Sequence, residues 1–87
     1  MERSNEVVHV ITIIDGSTED LVDIIQFPSF GLKAFYTQFD VDPAADPEML
    51  DRYSVGPDDI PFLEKTLGRQ LNFDFARFAY FIEAARR

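Results

Sequence analysis

Apolar residues in the first third of the chain fall in two short β-branched runs. Val7 to Ile14 reads Val-Val-His-Val-Ile-Thr-Ile-Ile, with Asp15-Gly16 directly after it. That is a strand followed by a turn signal. Leu21 to Phe27 reads as a second strand, stopped by Pro28. Only Asp15–Asp20 separates the two, so an antiparallel hairpin is the economical pairing. Ser17-Thr-Glu-Asp20 also resembles a capping box that could start a helix through Gln26. The strand is favoured, because Val22, Ile24, Ile25 and Phe27 are strand formers and the segment is short.

Beyond Pro28 the pattern changes. Ser29 can cap a helix over Phe30–Phe39, with Leu32, Phe35, Tyr36 and Phe39 spaced i, i+3, i+4, i+7. Asp40-Val-Asp-Pro-Ala-Ala-Asp-Pro-Glu48 carries two Pro and four acids and reads as a loop. Met49–Val55 is ambiguous, with room for a short strand at Tyr53-Ser54-Val55. Gly56-Pro57-Asp58-Asp59 announces a helix over Ile60–Leu67. Pro61 lies in its first turn, Ile60, Leu63 and Leu67 face inward, and Gly68 stops it. Leu71–Phe75 reads as extended. Asp74 then caps a last helix, Phe75–Arg86, whose stripe is Phe75, Phe78, Ala79 and Ile82. The expectation is an α+β fold: an N-terminal antiparallel β-hairpin, room for a third short strand, and two or three helices, all in one domain of residues 1–87.

Composition fits that expectation. Eighty-seven residues suit one domain. Nine Phe and three Tyr supply a core without staples, since each buried aromatic removes about 150–250 Å² from water. There is no Cys, so neither a disulfide framework nor a thiolate zinc site is available. No stretch approaches the ~20 apolar residues of a membrane span. Met1–Glu6 has neither the basic start nor the apolar run of a signal peptide, so the cytoplasm is the expected location.

Charge sharpens the picture. The net charge is −8. Asp15–Asp59 holds eleven acids against Lys33 and Arg52, a balance of −9, whereas residues 60–87 carry five bases against three acids. An acidic middle repels phosphate backbones and disfavours nucleic acid. It favours a basic protein partner and speeds encounter with one. The plainer reading is that acidity keeps a small protein soluble.

Candidate chemistry is sparse. His9 is the only histidine and lies mid-strand, which suits a structural or surface role. No Ser occupies a Gly-x-Ser-x-Gly elbow, and no Gly-rich phosphate loop exists. The expectation is a protein that is not an enzyme, with no catalytic residues, no metal and no cofactor. Asp40, Asp42, Asp46, Glu48 and Asp51 fall at positions 1, 3, 7, 9 and 12 of a possible twelve-residue calcium loop. It conflicts with Ala44 and Ala45 at positions 5 and 6, with Pro43 and Pro47, and with Asp at position 12. The candidate partner-binding residues are therefore Asp40, Asp42, Asp46, Glu48, Asp51, Tyr53, Asp58 and Asp59. Carboxylates there can pair bidentately with Arg, and neighbouring aromatics suit an interface. Tyr36 and Tyr53 can equally close the core. Phe73, Phe75, Phe78 and Phe81 exceed what one helical face hides. A largely buried helix explains them, and so does a patch for a partner or a second copy.

The tail Asn72-Phe-Asp-Phe75 with Tyr80-Phe-Ile-Glu-Ala84, following a strand–turn–strand start and an amphipathic helix, resembles small bacterial immunity proteins encoded beside secreted toxins. The resemblance implies a small acidic inhibitor that masks a cognate toxin. It identifies no binding residues. The alternative expectation is a regulatory or adaptor interaction domain, monomeric or homodimeric, without nucleic acid or membrane as partner.

Overall fold

The computed structural model describes residues 7–28 and 30–86, apart from the Arg86 side chain. Its elements are strands β1 (Val7–Asp15) and β2 (Leu21–Gln26), helix α1 (Leu32–Phe39), strand β3 (Tyr53–Ser54), a 3-10 turn (Pro57–Asp59), helix α2 (Ile60–Leu67) and strand β4 (Phe78–Arg86). The sheet order is β2-β1-β4-β3, and all three pairings are antiparallel. The fold is α+β with an N-terminal hairpin, as expected.

Local chemistry explains the hairpin. Asp15 Oδ1 accepts the Ser17 and Thr18 amides at 2.8 and 3.1 Å, an Asx-type turn. The Asp15 amide closes the turn on the Asp20 carbonyl at 2.9 Å. Those amide donors, Ser17 first, hold the Asp15 carboxyl below its ordinary value. The pairing shifts between Ile13 and Ile14, leaving Val22 as the extra residue of a bulge.

Helix α1 starts at Leu32, later than expected, with Gly31 at its N-cap and no side-chain cap. Ser29, the expected cap, lies outside the described residues. Asp40 closes the helix in the left-handed region at φ 55°, a conformation Asp tolerates better than most residues. Helix α2 keeps the expected bounds. Gly68 ends it at φ 72°, its amide donating to the Glu64 carbonyl. Tyr53–Ser54 is a strand, so the ambiguous segment resolves to a short edge.

The C-terminal segment overturns the expected last helix. Phe78–Arg86 is a nine-residue strand, paired along its whole length with β1 from Val7↔Arg86 to Asp15↔Phe78. Asp74 caps a turn: its carboxylate accepts the Ala76 amide at 3.1 Å and its carbonyl the amides of Arg77 and Phe78. The residues carry a helical stripe, but Tyr80 and Ile82 also alternate with Ala79, Phe81 and Glu83. Strand β1, buried at its centre, needs a partner on its second edge, and the Phe-, Tyr- and Ile-rich tail suits a pleated surface. Tertiary pairing outweighs local spacing here.

Side chains alternate across the sheet. One face, bearing Ile11, Ile25, Phe27, Tyr80 and Ile82, packs against Phe35, Val41, Met49, Val55, Leu63 and Leu71. Phe73 stacks on Tyr80 at 3.8 Å between ring centroids, and Phe75 meets the same ring edge-on at 5.0 Å. Most of the Phe run therefore packs, half-buried, against the core. Phe81 is on the opposite face, under the Arg52 guanidinium at 3.8 Å.

Candidate functional site

The acidic segment runs from the end of α1 to the start of α2, and its backbone is pinned from several directions. Asp46 is the principal pin. Its Oδ1 accepts the Leu50 amide at 2.8 Å, its Oδ2 accepts the Asp51 amide at 3.1 Å, and the Tyr53 hydroxyl donates to Oδ2 as well. The Tyr53 hydrogen bond is the main cause holding the Asp46 carboxyl below its ordinary value, with the two amides and nearby His9 acting in the same direction against partial burial. The same contact acts oppositely on the phenol. Burial first, then the Asp46 hydrogen bond and charge, push the Tyr53 pKa to about 12.

His9 reaches the loop from β1. Its Nε2 lies 3.0 Å from the Glu48 carbonyl oxygen and 3.1 Å from that of Met49. Carbonyl oxygens only accept, so Nε2 carries the hydrogen. The ring stacks on Phe30 at 3.9 Å, which fixes its plane. Tyr36 donates its hydroxyl to the Pro47 carbonyl. Between these pins Met49 is fully buried and adopts φ 50°. A left-handed Met costs about 1–2 kcal/mol, so the surroundings must impose that shape.

The eight candidate residues divide by what their side chains already do. Asp46 and Tyr53 hold each other. Asp59 accepts the Gly56 amide through Oδ2 and the Gln38 amide nitrogen through Oδ1, both at 2.8 Å, tying the 3-10 turn to α1. Asp42 Oδ1 accepts the Ala44 amide at 3.0 Å and remains exposed. Asp40, Glu48, Asp51 and Asp58 are exposed, and their carboxylates have no partner among the described residues. The loop therefore presents five outward carboxylates on a backbone held by the other three residues. The nearest cation in sequence, Arg52, is already engaged: its Nε pairs with Glu83 Oε2 at 3.1 Å. Glu83 also accepts the Thr12 hydroxyl at 2.7 Å. Sequence reasoning did not reveal His9 as a pin, because its partners are main-chain carbonyls 39 and 40 residues away.

A second feature is the sheet face without helices. Leu21, Val22 and Ile24 are 55%, 52% and 48% exposed there. Beside them Ile14, Gly16, Glu19, Arg52 and Phe81 line a shallow concavity of about 410 Å³. No helix among the described residues is long and apolar enough to cross a membrane.

Titration of Tyr53 gives a direct check on the loop pin. Its pKa is higher folded than the ordinary 10.0, so its stabilising contribution is full below about pH 10 and is lost as pH rises toward 12. Urea midpoints measured across that window are expected to fall, and Tyr53→Phe is expected to remove that part of the fall.

The chain belongs to the family described as Domain of unknown function (DUF7683), whose profile matches residues 8–83. No curated protein and no solved structure matches it.

Proposed function

We propose that this member of the family is a cytoplasmic protein inhibitor of the immunity type, neutralising a cognate basic toxin domain by stoichiometric binding and performing no catalysis of its own. The supporting observation is the uncompensated charge of the pinned loop: Asp40, Asp42, Glu48, Asp51 and Asp58 stand outward on a backbone already paid for by Asp46, Tyr53, Asp59 and His9. Like charges held close together oppose folding slightly, and a basic partner relieves that opposition. A preorganised loop also loses little further freedom on binding. Outward carboxylates suit Arg and Lys on the partner and speed diffusional encounter. The cysteine-free sequence is compatible with a reducing compartment. The resemblance of the tail to immunity proteins points the same way.

The test is association kinetics with the protein encoded by the adjoining gene. Asp42→Lys, Glu48→Lys and Asp51→Lys in combination should slow association at low salt about tenfold or more. Asp46 and Asp59 are left intact, since changing them would alter the fold as well as the charge. A thermal melt close to that of the native chain confirms that the variant is folded. An association rate equal to the native one at low salt rejects the electrostatic reading. Failure of the native chain to bind that protein or to relieve its toxicity rejects the inhibitor reading.

A further inference from the structure

Sheet edges are ordinarily blunted by shortness, charged residues, Pro or a bulge. Edge strand β3 follows that rule with two residues. Edge strand β2 has six, Leu-Val-Asp-Ile-Ile-Gln, with neither Lys nor Pro; its bulge at Val22 and its one charge, Asp23, lie in the first half and leave Ile24–Gln26 in regular register. Its hydrogen-bonding direction is readable. The Phe27 amide donates to the His9 carbonyl at 3.2 Å, and alternate residues of an antiparallel strand face the partner. The amides of Ile24 and Gln26 therefore point to the open edge. Among the described residues, the Ile24 amide is covered only by the carboxylate of its own neighbour Asp23, at 2.8 Å. The edge borders the half-exposed aliphatic patch of Leu21, Val22 and Ile24. The strand's one charged residue is Asp23, with Asp20 just before it, and no Lys or Arg occurs from residue 15 to residue 32.

We propose that the open edge of β2 accepts an extended segment of another protein in which apolar and basic residues alternate, added as a fifth strand. The period of two fits both features of the edge. Apolar side chains of the incoming strand lie on the helix-free face against Val22 and Ile24. Its basic side chains emerge on the other face beside Asp23. There they draw the Asp23 carboxylate off the Ile24 amide, which then donates to the incoming backbone. A second copy of this chain fits worse, because two β2 strands would bring Asp20 and Asp23 from both copies into one seam without a cation. This inference goes beyond the inhibitor reading: it concerns the sheet edge opposite β3, and its test needs no toxin.

The probe is a fluorescein-labelled octapeptide of alternating Val and Lys, compared with a block isomer of the same composition and with alternating Val and Glu. Anisotropy should show the alternating Val–Lys peptide binding about tenfold tighter than the block isomer, with the Val–Glu peptide weaker than both. Amide hydrogen exchange of Ile24 and Gln26 should slow about tenfold or more on saturation. Asp23→Lys should weaken binding about tenfold, and Asp23→Asn less. The triple reversal of Asp42, Glu48 and Asp51 should leave the Ile24 protection in place, so loss of toxin binding and loss of edge binding are separable. Equal binding of the block isomer, or an unprotected Ile24 amide at saturation, overturns the proposal. A sedimenting dimer whose Ile24 amide is protected without peptide also overturns it, in favour of a second copy at this edge.

Discussion

Phe35→Ala is expected to cost about 3–5 kcal/mol, the range for emptying a well-packed aromatic site. A chain of this length has a total stability of about 4–13 kcal/mol, so the variant should be close to half unfolded or should melt far below the native chain. The size of the effect follows from position. Phe35 is 1% exposed on α1. Its ring meets Phe27 at 5.3 Å and Phe62 at 4.8 Å, both edge-on, and lies 3.9 Å from Phe30 and 5.9 Å from Phe39. It thus joins the residue that follows β2, both helices and the ring that supports His9. Little surrounding structure can collapse into the void, because neighbouring rings are rigid and β2 is fixed by its ladder. Urea denaturation at neutral pH measures the loss. Phe35→Leu keeps most of the volume and should cost about 1–2 kcal/mol. A Phe35→Ala cost below that of Phe35→Leu would contradict the packing described.

Asp46→Ala is expected to lower stability by about 1–3 kcal/mol at pH 7, since it removes charge-assisted hydrogen bonds to two exposed backbone amides and to a partly buried phenol. The effect should also carry a pH signature. The folded carboxyl is more acidic than the ordinary 3.8. Its contribution is therefore full above that value and is lost as pH falls through the lowered folded one. The native chain should lose stability on that acid limb, and Asp46→Ala should lose less there. Combining Asp46→Ala with Tyr53→Phe should give less than the sum of the two, because the variants share one hydrogen bond. Hydrogen exchange should show the Leu50 and Asp51 amides opening in Asp46→Ala while the β1–β4 ladder stays protected. Additive effects, or a loop that remains protected, would show that Asp46 is not the pin.

These two residues illustrate how differently core and site can be read from a linear chain. Phe35 is recognisable from its neighbours in sequence: Leu32, Phe35, Tyr36 and Phe39 share one helical face. Asp46 looks like any other acid in a run of acids. What separates it from Glu48 is contact with Tyr53 and with the two amides that close the turn. The same holds for Asp59, whose partner Gln38 lies 21 residues earlier. Charge marks the acidic segment as a whole, and folding divides its carboxylates between internal contacts and exposed positions.

The amino-acid sequence by itself determined the local elements. A β-branched run followed by Asp15-Gly16 makes the hairpin, apolar residues at helical spacing make α1, and Pro61 and Gly68 bound α2, because each signal acts within a few residues. Only the tertiary structure decided the rest. The tail Phe78–Arg86 carries a pattern that satisfies helix and strand alike, and pairing with β1 at the far end of the chain selects the strand. Placing β4 beside β1 leaves β2 as a long edge, exposes Leu21, Val22 and Ile24, and brings His9 under the acidic loop. Those outcomes depend on contacts between distant residues. Their free energy exists only once the chain has closed, so no local window of sequence contains it.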